Sequence, residues 1–382
     1  MIYIFTIIIC LFFVWYYDIQ GKTKYKQVSF YILLIWLITI SGFQYMVGVD
    51  VMAYTYDYER YSSRLPLDLF FKDAENNRLQ PGWVFMVWLF KQVTGNFFFL
   101  KLTHAIFLNV SIFHFFKRES KSEFLCIFFY IISSYLVMNF NVLRQSMAVA
   151  FELYAISYIN NEKYLKSILF IFLAYMFHDS ALLLIILPFF KFLKFNKVTL
   201  LIVAICFFVT IYAFYVIDFE GFLYQFLIRG DLDNSTTSVA WGYMNDERLG
   251  ASGKVFKYSG QMMMTTFIII YYIYKKKDMF WGGLSILYLV VMMASVLFPI
   301  LWRFRLYFDF SFYLLLASVL VELKSNRRLL IPLRKVIVYS LIVLFVYFPI
   351  RDYFNVNSSG LRNINQYYPY HSIFDPVIEK RY

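Results

Sequence analysis

The stretch FLCIFFYIISSYLVMNFNVLRQSMAVAFELYAISYI, residues 124–159, reads as two consecutive membrane-spanning segments interrupted by Asn141-Val142-Leu143-Arg144-Gln145. An arginine near the centre of a bilayer helix costs roughly 2.5–3.5 kcal/mol on insertion scales, so it ordinarily lines a cavity, meets an anion or sits at an interface. On one continuous helix, Asn141, Gln145, Ala148 and Glu152 would repeat at helical spacing as a polar stripe with Arg144 beside it. Such a stripe faces protein or water, not lipid. Interhelical hydrogen bonding and an anion-binding cavity are both consistent with it.

Outward from this stretch, apolar runs recur near residues 1–17, 28–48, 81–94, 97–116, 166–190, 198–217, 258–274, 279–300, 306–321 and 336–350. This pattern predicts an all-α polytopic integral membrane protein of about 11–13 transmembrane helices, short or broken ones included. Polar loops near 50–79 and 219–257 and a polar tail over 351–382 are expected outside the membrane. No internal repeat appears, so residues 1–382 read as a single transmembrane domain. Residues 1–17 lack a basic leading region and a small-residue cleavage site, which reads as an uncleaved first span.

The net charge of +12 is explained by Lys and Arg held in cytoplasmic loops instead of by nucleic-acid binding. The basic loops 22–26, 275–277 and 324–335 then face the cytoplasm, and both long loops and the tail lie outside. If loops 117–118, 163–166 and 191–197 are also cytoplasmic, segment 81–94 does not cross fully, segment 166–190 breaks near His178, and Arg144 is external. In a plainer arrangement both segments cross once and Arg144 faces the cytoplasm. The broken arrangement is preferred, because irregular backbone at membrane depth is tolerated where it lines a cavity.

Cys10, Cys126 and Cys206 lie in apolar runs without metal or disulfide spacing, and the chain has no P-loop, Gly-x-Gly-x-x-Gly or HExxH motif. No cofactor or metal is therefore expected. Chemistry concentrates elsewhere. Phe177-His178-Asp179-Ser180 interrupts an apolar run; His178 there is either a base poised near neutral pH or part of a helix break capped by Asp179 or Ser180. Neighbouring helical residues point about 100° apart, so Asp179 is not automatically its partner. Trp302-Arg303-Phe304-Arg305-Leu306-Tyr307 carries two guanidiniums suited to phosphate, or to anchoring at the interface. Gly48-Val49-Asp50, Tyr54, Tyr56-Asp57-Tyr58-Glu59-Arg60 and Gln80-Pro81-Gly82-Trp83 combine carboxylates, an arginine and aromatic faces, as carbohydrate sites do. His104, His114 and His371 read as structural.

The order Gly48-x-Asp50-x-x-x-Tyr54, Gln80-Pro81-Gly82, Asn141-x-x-Arg144-Gln145-x-x-Ala148, Phe177-His178-x-Ser180-Ala181 and Arg303-x-Arg305-x-Tyr307-Phe308 resembles the EpsG-like family of bacterial exopolysaccharide membrane proteins. That family is similar to the Wzy oligosaccharide repeat-unit polymerases of O-antigen and capsule synthesis. The resemblance runs from about Phe43 to Phe308 and implies a GT-C-like glycosyltransferase bundle in the bacterial cytoplasmic (inner) membrane. It implies metal-independent transfer, at the outer face, of an undecaprenyl-pyrophosphate-linked glycan onto another lipid-linked repeat unit. His178 or Asp50 would deprotonate the acceptor hydroxyl. Arg144, Arg303 and Arg305 would hold the pyrophosphate, while Asn141, Gln145, Tyr54, Arg60 and Ser180 complete the substrate-binding set. Membrane lipid, a flippase and a chain-length regulator are the implied partners. Two departures stand out: Gln44 and Tyr45 replace an arginine often found before the Gly-x-Asp, and Gln80 replaces a glutamate commonly preceding Pro-Gly. A single-sugar glycosyltransferase, a lipid-linked-sugar transporter and a membrane O-acyltransferase are the rival readings.

Overall fold

The protein, seen in a computed structural model, is described over residues 2–60, 66–67, 79–192, 205, 251–276, 279–297, 301–325, 331–356 and 361–379. The second long loop, over 219–250, and Cys206 lie outside the described residues. Among the described residues, four helices are long and apolar enough to cross a bilayer, Ile2–Ile19, Phe97–Glu119, Trp302–Lys324 and Pro332–Phe354, and shorter apolar helices accompany them. The fold is all-α and polytopic, with no β-strand among the described residues.

The helices in chain order are α1 (Ile2–Phe13, continued by a wider turn over Val14–Ile19), α2 (Lys26–Gly42), α3 (Val49–Arg60), α4 (Pro81–Val93) and α5 (Phe97–Glu119). Then come α6 (Glu123–Ser133), α7 (Tyr135–Phe140), α8 (Leu143–Asn160), α9 (Tyr164–Tyr175) and a 3-10 helix over Asp179–Lys191. The last are α10 (Ala251–Lys276), α11 (Met279–Leu297), α12 (Trp302–Ser325) and α13 (Ile331–Phe354). They form two compact units, residues 1–188 with 324–382, and residues 189–323.

In the first unit the helix ends sort by charge. Lys26 Nζ reaches Glu123 Oε2 at 2.9 Å and Asp18 Oδ1 at 3.5 Å, tying together α1, α2 and α6. Asn160 donates to Glu119 at 3.0 Å, and Lys324 donates to the Ile19 carbonyl. The basic loops 22–26, 117–118 and 163–166 and the start of 324–335 therefore gather at one end. At the opposite end lie Gly42, the α7–α8 turn and the start of α5, joined by Lys101 Nζ donating to the Ser41 carbonyl at 2.7 Å.

Helix α4 does not run between the two ends. Its start meets the end of α9 through Gly82 N–H to the Met176 carbonyl at 2.7 Å, and its last turn accepts from Tyr58 at the Thr94 carbonyl, 2.7 Å, beside Phe97. A 13-residue helix spans about 20 Å, short of the roughly 30 Å hydrocarbon core. Segment 166–190 is likewise broken: α9 ends at Tyr175, and buried Ala181, Leu184 and Leu187 recur every third residue on the following 3-10 helix. Three residues per turn stack such positions on one face. Both findings match the broken arrangement.

Without a hydrophobic drive between helices in lipid, packing relies on small residues and interhelical hydrogen bonds. Asn109 donates to Asn139 at 2.9 Å, Asn139 to Tyr130 at 2.8 Å, and Tyr130 back to Asn109 at 3.1 Å. This closed ring, with Tyr135 donating to the Leu37 carbonyl at 2.7 Å, pins the short α7 against α2 and α5. Helix α7 in turn fixes the turn that follows it. In the second unit, Tyr288 of α11 stacks on Phe312 of α12 with centroids 4.4 Å apart and rings 4° from parallel.

Candidate functional site

The apolar run of residues 124–159 reverses direction at Asn141-Val142-Leu143. Val142 has φ −75° and ψ 56°, and Leu143 N–H bonds the Asn141 carbonyl at 2.7 Å, the geometry of an inverse γ-turn. Asn141, at φ −124° and ψ −80°, is therefore outside the helix. The stripe expected on one continuous helix is corrected accordingly: it begins at Gln145 and continues through Ala148 and Glu152, all buried. Asn141 instead points to the tail, donating to Gln366 Oε1 at 2.8 Å and Tyr367 Oη at 2.9 Å.

Gly48 makes this junction possible. Its φ is +94°, and a Cβ there would lie 1.8 Å from the Phe140 carbonyl oxygen and 2.8 Å from Asn141 Oδ1. Its N–H bonds the Gln366 carbonyl at 3.0 Å, so the turn before α3, the α7–α8 reversal and the tail meet at one point. Asp50 then falls in the first turn of α3. The Tyr367 phenol is pushed well above its ordinary pKa, first by burial and then by Tyr353, Asp50 and Tyr3, so Asp50 acts on the same junction.

Arg144 sits in the first turn of α8, where the helix dipole favours an anion. Its Nε donates to Tyr54 Oη at 3.1 Å and its Nη1 to Gln80 Oε1 at 2.9 Å. Gln80 Nε2 continues to Asp179 Oδ2 at 2.8 Å. Tyr54 also packs on Trp83, centroids 5.1 Å apart, above a cluster that includes Val51, Tyr58, Val84, Phe97 and Leu143. Gly82 is the second close approach, since a Cβ there would stand 2.7 Å from the Met176 carbonyl. That contact sets Gln80 beside the residues that follow α9.

His178 Nδ1 accepts the Ser180 backbone N–H at 3.2 Å and lies 2.6 Å from Ser180 Oγ. A backbone amide only donates, so the neutral ring carries its proton on Nε2. Asp179 partners Gln80, as the divergence of adjacent side chains anticipates.

The structure thus brings Asn141, Arg144, Tyr54, His178, Ser180 and Asp50 to one end of the first unit. Gln145 is 1% exposed, buried in the helix interface beside them. Arg60 stands at the far end of α3, two-thirds exposed and 3.5 Å from Asp57. In the second unit, Arg303 and Arg305 begin α12, Arg303 over the Trp302 ring at 5.9 Å and Arg305 Nε 3.4 Å from buried Asp309. Of the other histidines, His104 bonds Ser146 Oγ at 2.7 Å, His114 stacks on Tyr154, and His371 lies within 3.5 Å of Asp375.

Sequence reasoning missed Gln80 as a bridge, Gln366 and Tyr367 as its counterparts from the tail, and Lys101. The last had a signal. A lysine within the run 97–116 is as costly as Arg144, and here it is 2% exposed, capping the Ser41 carbonyl and lying 5.5 Å over the Phe140 ring. No metal-binding cluster of His, Cys, Asp or Glu occurs among the described residues.

Neither a curated protein nor a solved structure matches the chain. A sequence-family profile described as the EpsG family matches it over residues 27–372, taking in the glycine junction, the arginine reversal, the His178 break and the tail. The chain therefore belongs to the EpsG family, membrane proteins associated with exopolysaccharide synthesis.

Proposed function

We propose that the protein is a repeat-unit polymerase. It transfers a glycan from undecaprenyl pyrophosphate to the sugar hydroxyl of a second lipid-linked repeat unit, at the outer face of the bacterial cytoplasmic membrane. The observation that carries this reading is the setting of Arg144: a guanidinium at a helix N-terminus, oriented by Tyr54 and Gln80, with the Tyr54 and Trp83 rings beside it and Asp179 bonded to the far side of Gln80. A pyrophosphate leaving group calls for such a cation, which stabilises charge as it develops. Gathering of the basic loops at the opposite end supports an outward site, because positive loops stay cytoplasmic.

In this reading Arg144 holds the departing diphosphate and Tyr54 with Trp83 covers the apolar face of a sugar. His178, with its proton on Nε2, donates to a glycan or phosphate oxygen. The test uses purified full-length protein and lipid-linked repeat units. The parent should make a ladder of chain lengths, whereas Arg144→Ala, still inserted in the membrane, should lose about 100-fold or more of the turnover. A single-step product from the parent would point to simple glycosyl transfer, and a normal ladder from Arg144→Ala would sink the assignment.

A further inference from the structure

We propose that Asp179 is the base that takes the proton from the acceptor sugar hydroxyl. The inference rests on the polymerase reading above. Gln80 lies between a guanidinium that only donates and a carboxylate that only accepts, so its amide has one orientation: Oε1 to Arg144 at 2.9 Å, Nε2 to Asp179 at 2.8 Å. A fixed amide therefore holds the carboxylate two hydrogen bonds from the cation that would receive the leaving group. The spacing is set by backbone, because the Gly82 N–H to Met176 carbonyl contact docks the start of α4 on the end of α9. Pre-set distances of this kind lower the cost of bringing two reactants and a base together.

Two further observations separate Asp179 from its neighbours. Asp179 is exposed, as a base serving a bulky oligosaccharide must be, and Gln80 engages one of its oxygens. His178 beside it accepts at Nδ1 from Ser180 N–H, so the neutral ring is a donor at Nε2 and supplies a proton where Asp179 removes one. Asp50 belongs to the junction with Tyr367. In the step, the acceptor O–H proton passes to Asp179 and the oxygen's electron pair forms the bond to the donor's anomeric carbon. The bond from that carbon to the diphosphate oxygen breaks, its electron pair leaves with the polyprenyl diphosphate beside Arg144, and Asp179 returns the proton to water.

The experiment is ladder formation by full-length protein in lipid nanodiscs with lipid-linked repeat units. Asp179→Asn keeps an acceptor for Gln80 and removes the charge; its turnover should fall about 100-fold or more with KM little changed. Asp179→Glu should retain more activity than the asparagine variant. Asp179→Ala supplies an independent readout: added formate should restore part of the lost turnover, and a rate flat in formate overturns the assignment. If the parent makes a ladder and Asp179→Asn matches it, Asp179 is not the base and the polymerase reading stands. A parent that makes no ladder overturns that reading, and this inference with it.

Discussion

Replacing Gly48 by alanine places one carbon 1.8 Å from the Phe140 carbonyl oxygen, at a residue whose φ is +94°. The left-handed backbone costs a non-glycine residue roughly 1–2 kcal/mol. Relieving the overlap means displacing backbone, and overpacking of this kind typically costs about 1–3 kcal/mol. Together they predict a loss of about 2–5 kcal/mol, enough to lower the melting temperature by on the order of 5 °C or more. The displaced atoms belong to the turn that aims Arg144, so polymer output should fall along with stability. Thermal melts of detergent-solubilised protein, read by size-exclusion chromatography, measure the first effect, and the ladder assay the second. Gly95→Ala is the control, since a Cβ there meets nothing within 4 Å. A Gly48→Ala protein that melts with the parent would refute the reasoning about this junction.

Two further outcomes follow from the tail. Asn141→Ala removes the bonds to Gln366 and Tyr367; at about 0.5–1.5 kcal/mol each, melting and turnover should both drop, and a variant equal to the parent in both would show that the tail does not hold the reversal. Burial pushes the Tyr370 phenol from 10.0 up to about 12, and it donates to the Ile40 carbonyl at 3.0 Å. A raised pKa means the stabilisation is intact below pH 10 and lost as pH climbs toward 12. Melting temperature measured across that window should fall less steeply in Tyr370→Phe than in the parent; equal slopes would show that Tyr370 contributes nothing there.

Particular residues show why some of this was legible beforehand. Arg144 announced itself because a charge in an apolar run has no inexpensive place in a membrane, whatever its neighbours turn out to be. His178 marked a break for the same reason. Gln80 carried no such signal, since its importance lies in joining Arg144, 64 positions further along the chain, to Asp179, 99 positions further along. The tail was similarly opaque: Gln366 and Tyr367 are ordinary polar residues until folding lays them against Asn141, 225 and 226 positions earlier.

The amino-acid order alone determined that the chain is helical and membrane-embedded, which loops carry the positive charge, and which few polar groups stand in apolar surroundings. Each follows from transfer free energies that act on a segment by itself. Only the tertiary structure decided that the turn between the two expected spans takes Asn141 out of the polar stripe and gives it to the tail, and that Gly48 and Gly82 serve as points of backbone contact. It also decided that Arg144, Gln80 and Asp179 form one line. Those are matters of distance between remote segments, set by how helices and a tail pack against each other, and no local preference encodes them.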